Sequence, residues 1–140
     1  GESMGAWGFG VFDNDSSCDF VIELHEQENI SEKIKSIFLQ TINEEDFIDL
    51  DTAAAVWVSA CVIDQVLNNI CYDCPDIEYD DIIERADRAE LIKLKQEAVK
   101  ALDCILSDKS ELNELISECD EQDYNNWKDG IMSVRNRINI

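Results

Sequence analysis

Apolar positions recur at three- and four-residue intervals over most of this chain, and no period-two alternation bounded by turn residues stands out. A first helix is predicted after Asp13-Asn14-Asp15, any of which, or Ser16, can cap it by accepting a hydrogen bond from an orphan backbone N–H. Cys18, Val21, Ile22 and His25 form its stripe, widened by Phe20 and Leu24. Ile34, Ile37, Phe38 and Ile42 predict a second amphipathic helix over about 32–42, with Asn29 or Ser31 as its cap. A third follows Asp51 or Thr52 and runs from Ala53 through Trp57, Cys61 and Ile63 to Val66, Leu67 and Ile70. Its first three turns are apolar nearly all round, the mark of a buried helix. A buried strand is the rival reading of its valine-rich part, but length and alanine content favour a helix.

Residues 71–81 read as a loop, because Cys74 precedes Pro75 and a residue before proline avoids the α region. A long helix is predicted from somewhere in 81–87 to Leu106, with Leu91, Leu94, Ala98, Ala101, Leu102 and Ile105 inward. After a break at 107–109, Ser110 opens another helix, and a last one covers about 123–136 with Trp127, Ile131, Val134 and Ile138 inward. There is no linker or internal repeat. The expected fold is all-α: a single-domain bundle of about six helices around the buried third, entered by an extended N-terminal arm. Gly1-Glu2-Ser3 reads as a cloning remnant before Met4, leaving 4–140 as the helical domain.

Charge changes the picture more than composition does. Eleven Lys and Arg face thirty-two Asp and Glu, a formal net charge of -21 over 140 residues. Such self-repulsion opposes compaction, and it argues against nucleic acid or an anionic membrane as a partner. The N-terminus has no basic region followed by an apolar run, so the expected compartment is the cytoplasm. Six cysteines are then expected to be mostly thiols, with Cys18, Cys61 and Cys104 set among apolar residues as small hydrophobes.

Motifs for known chemistry fail one by one. The glycine-rich start, Gly5 to Asp15, has no lysine before Lys33, and its trailing Asp13 and Asp15 would repel a phosphate. Read as a calcium loop from Asp13, it places Cys18 where glycine is needed and Leu24 where glutamate is needed. Cys71-x-x-Cys74 lacks a second pair and has only His25 in the whole chain to complete a zinc site. Nearby carboxylates also dull its thiols. No catalytic, cofactor or metal residues are assigned. The stretch from Gly5 is read instead as the way into the fold, with Trp7, Phe9 and Phe12 anchoring the arm on the helices.

What remains is acid interleaved with tyrosine. Tyr72, Asp73, Asp76, Glu78, Tyr79, Asp80, Asp81 and Glu84 form one cluster. Glu118, Asp120, Glu121, Asp123 and Tyr124 form another. Interfaces are enriched in tyrosine, and a negative surface speeds encounter with a cationic protein. These residues are therefore the partner-binding candidates, with the three tyrosines as anchors.

The block from Met4 to Asp15 resembles the start of the bacterial domain-of-unknown-function family 4259, whose members begin Met-Gly-x-Trp-Gly and continue to Phe-Asp-Asn-Asp and a helix. Ala98 to Asp103, Ser110-Glu111-Leu112 and Trp127 are similar to its C-terminal half. The resemblance implies a small, acidic, intracellular bacterial protein and implies no activity. By analogy with small acidic proteins of this class, the leading expectation is an immunity or antitoxin protein that occludes the cationic surface of a basic toxin domain, such as a nuclease. The alternatives are a structural or regulatory helical domain, homodimeric or not, and, third, a carboxylate- or metal-dependent enzyme.

Overall fold

Helix starts are written into the sequence as oxygen-bearing side chains. Asn14, Asn29, Asp49, Ser110 and Asp120 each accept a hydrogen bond from the backbone N–H three residues on, and Asp87 accepts from Ala89 and Glu90. In the computed structural model, which describes residues 10–12, 14–72, 74 and 76–139, they open six of eight helices. These are α1 (Asp15–His25), α2 (Ile30–Asn43), α3 (Leu50–Asn68), α4 (Ile77–Arg85), α5 (Arg88–Ile92), α6 (Lys95–Ile105), α7 (Glu111–Ser117) and α8 (Glu121–Ile138). The fold is all-α: among the described residues the one extended pairing is an isolated parallel bridge between Ile48 and Ser110.

Helix α3 is the axis, as its all-round apolar pattern requires. It packs against each of the seven other helices, and every residue from Ala53 to Asp64 is buried. By length and mean hydropathy, 1.4, it could also cross a membrane, yet 67% of that stretch is buried inside the fold. A hydrophobic cluster surrounds it, built from Phe20 and Leu24 of α1, Phe38 of α2, Leu102 of α6 and Trp127 and Ile131 of α8. Helix α3 ends where Asn69 adopts the left-handed conformation, φ 58° and ψ 31°, a C-terminal stop that asparagine tolerates.

Four expectations are corrected. The 71–81 loop is shorter, because α4 begins at Ile77, where Tyr79, Ile82, Ile83 and Ala86 supply a helical stripe. The single long helix ending near Leu106 is instead α4, α5 and α6. Asp87 caps a new start after Ala86 turns extended, and i→i+3 bonds from Lys93 and Leu94 tighten the backbone into a bend. The cap of α3 is Asp49, two residues before the nearer of the two expected caps, Asp51 and Thr52. In α1 the inward stripe is Ser17, Phe20, Val21 and Leu24, leaving Ile22 39% exposed. The arm residues Trp7 and Phe9, with Asp13, lie outside the described residues. Phe12 is buried, with its ring edge-on to Tyr79 at 4.9 Å.

Candidate functional site

The basic residues are largely committed to holding the fold. Arg85 donates to the His25 and Gln27 carbonyls at the end of α1, and Arg88 donates to the Val66 carbonyl near the end of α3. Cations are favourable there because the last helical carbonyls carry partial negative charge. Lys33 pairs with Glu23, Lys93 with Glu90, Arg135 with Asp103 and Arg137 with Asp64, while the Lys109 ammonium donates to the Glu44 carbonyl. At least seven of the eleven cations thus have a partner within the chain, and the surplus carboxylates dominate the surface.

One of these ties shapes the first acidic cluster. Asp64, fully buried on α3, receives Arg137 Nε and Nη2 at 2.9 and 2.7 Å on Oδ2. Tyr72 Oη donates to the same oxygen at 2.6 Å, and Asn68 donates to Oδ1 at 2.8 Å. A buried charge is tolerable only when paired and hydrogen-bonded, and this one has both. Asp64 was visible in the sequence as a lone acid within an apolar helix. Its partner, 73 residues away, carried no local signal. The network binds the segment after α3 to the end of α8 and fixes where the acidic cluster starts.

Each of the three candidate tyrosines has its hydroxyl engaged inside the fold, and only Tyr79 is fully buried. Tyr79 is 1% exposed, with its hydroxyl donating to Gln65 Oε1 at 3.1 Å. Tyr72 is half-buried in the Asp64 network. Tyr124, half-buried against Trp127, donates to Asn113 Oδ1 at 2.7 Å. Aromatic rings with a polar tip pack inward when that tip finds a partner. The acids fare differently. Asp80 and Glu84 of α4 are exposed, Asp76 and Glu78 are half-exposed, and Asp81 meets His25 at 3.0 Å and Arg85 at 2.8 Å. Asp120 and Glu121 are exposed and Asp123 half-exposed at the start of α8. Asp73 lies outside the described residues.

The two clusters are not one site. Arg137 holds Tyr72 at the C-terminal end of α8, and Glu121 lies sixteen residues earlier, about 24 Å along the helix. They flank the fold on different helices, one on α4 against α1 and α3, the other where α7 meets α8.

The cysteines are free thiols: Cys61 buried, Cys18, Cys74 and Cys104 half-buried, Cys71 and Cys119 exposed. Burial pushes the Cys18 thiol up, with Asp76 and Cys74 adding to it. Among the described residues no group of three or more His, Cys, Asp or Glu side chains converges as a metal-ligand set.

Burial also holds the Tyr72 and Tyr79 hydroxyls and the Cys61 thiol protonated well above their ordinary range. The folded state prefers their neutral forms, so their contribution is complete below the unfolded values, about 8.5 for cysteine and 10 for tyrosine, and is lost as pH rises past them. Stability is expected to stay level toward pH 8 and then fall, with Tyr79 alone removing about 1.4 kcal/mol per pH unit above 10. Denaturant melts across alkaline pH, followed by tyrosinate absorbance, check this. Ionisation of Tyr79 in the folded chain at the free-tyrosine value contradicts it.

The model of the domain of unknown function DUF4259 matches residues 5–130. The chain belongs to this family. The match extends from the glycine-rich start through the α8 residue Gly130, so it takes in α1 to α7 and both acidic clusters. No curated protein and no solved structure matches the chain. Family membership thus comes with no activity attached.

Proposed function

We propose that this member of the DUF4259 family is a cytoplasmic binding protein of the immunity or antitoxin type, which neutralises a basic toxin domain by covering its cationic surface. The observation that carries the reading is the charge asymmetry: a net charge of -21 with most cations committed to internal ties. No lysine or arginine occurs between Lys35 and Arg85, whereas twelve carboxylates do. The exposed carboxylates among them, such as Asp80 and Glu84 of α4, pair with the lysines and arginines that a nuclease uses to hold phosphate. They raise the encounter rate, while a few buried contacts set the lifetime of the complex.

Capture from the native host at low salt, with the chain as bait, followed by expression of the retained protein alone and together with the chain, tests this. The expected partner is basic, harmful alone and harmless in co-expression. A chain that retains no basic protein, or retains one without protecting against it, contradicts the proposal.

A further inference from the structure

With Tyr79 buried and Tyr72 and Tyr124 half-buried, the exposed aromatic side chain among the described residues lies in an acidic turn. Phe47, between α2 and α3, is 52% exposed. Its neighbours Glu45 and Asp46 are exposed as well. A single exposed ring is unremarkable by itself, but this one stands on a fixed backbone. The Lys109 ammonium holds the Glu44 carbonyl on one side. On the other, Ile48 is 1% exposed, its N–H donating to the Lys109 carbonyl at 2.9 Å and its carbonyl accepting from Glu111 N–H at 2.8 Å. Leu50 N–H donates to Glu111 Oε1 at 2.7 Å, and Asp49 caps α3 through Thr52 N–H. Asp51 accepts from the Ser16 hydroxyl at 2.7 Å, tying the same segment to α1.

The surroundings define what such a ring can meet. Segments 44–51 and 108–111, joined by the Ile48–Ser110 bridge, carry Glu44, Glu45, Asp46, Asp49, Asp51, Asp108 and Glu111 against the single cation Lys109. A second copy of this chain would bring like charge against like. A cationic protein is attracted, and a rigid aromatic in a charged rim is the form interface anchors take. A pre-set loop also avoids the ordering cost that a mobile one would incur on binding.

We propose that Phe47 is the anchor by which this chain docks, inserting its ring into an apolar pocket rimmed by lysine or arginine on a cationic protein partner. The inference rests on the binding function proposed above and moves its centre from α4 to the α2–α3 turn.

The test is a photo-crosslinking residue placed at Phe47, or at Ile77 at the start of α4 as the comparison, in the native host. The crosslinked protein is then purified and its affinity measured for the wild-type chain, Phe47→Ala and Phe47→Tyr. A basic protein crosslinked from 47, roughly 30-fold weaker binding by Phe47→Ala and near-normal binding by Phe47→Tyr support the anchor. Because Phe47 is exposed, the alanine variant is expected to melt as the wild type does, which separates lost contact from lost fold. A basic partner crosslinked from 77 alone, or bound equally by Phe47→Ala, overturns the anchor and leaves the binding function standing. No basic partner from either position overturns the anchor, and a failure of the low-salt capture besides overturns the binding function as well.

Discussion

Replacing Trp127 by alanine is expected to lower the free energy of unfolding by about 3–5 kcal/mol, the cost of removing a large buried aromatic side chain. Trp127 is 1% exposed on α8 and meets Trp57 of α3 edge-on, with ring centroids 6.5 Å apart. Tyr124 packs on it from one turn earlier at 5.8 Å. The ring therefore fixes the long C-terminal helix against the central one. A domain of this size has about 5–15 kcal/mol in all, so the variant is expected to be partly unfolded near physiological temperature. Among the described residues its indole N–H has no hydrogen-bond partner. Trp127→Phe is therefore expected to lose volume and no hydrogen bond, and to cost much less. Urea unfolding of both variants checks the pair, and equal losses contradict the packing explanation.

Arg137→Ala is the second large effect, about 3 kcal/mol, because it leaves the fully buried Asp64 carboxylate without its counter-ion. The estimate sits at the low end of what breaking a buried pair costs, since the Arg137 side chain is 35% exposed and water can partly replace it. Replacing both partners, Asp64→Leu with Arg137→Met, is expected to recover most of the loss, since no charge is then left buried. Urea unfolding of the single and double variants checks this. Hydrogen exchange at Tyr72 adds a local reading, because its N–H is held by Gln65 beside the network. A double variant as unstable as Arg137→Ala would mean that the pair has little to do with the loss.

The helical class, the central role of α3 and the inward face of α8 could be read from periodicity alone, because Trp127, Ile131, Val134 and Ile138 keep their spacing without interruption. Helix α4 could not. Its stripe of Tyr79, Ile82 and Ile83 is threaded through Glu78, Asp80, Asp81 and Glu84, and acid density after Pro75 imitates a loop. On α1 the apolar pattern lies one step out of phase with the buried face, because Ile22 is apolar and exposed while the smaller Ser17 is buried. The candidate site divides along the same line. Its charge is a property of the sequence and survives folding. How deeply each tyrosine is buried depends on partners on neighbouring elements, beyond the reach of helical spacing: Asp64 for Tyr72, Gln65 for Tyr79 and Asn113 for Tyr124. Phe47 has no polar tip to satisfy, and nothing in its spacing separates it from the buried Ile48 beside it.

The central claim is that this surface exists to meet a cationic protein. The most direct measurement is the association rate constant between the purified chain and the basic protein it retains, followed as ionic strength increases. Steering by a surplus of carboxylates predicts a rate that falls steeply with salt while the dissociation rate changes little. An association rate indifferent to salt would contradict it.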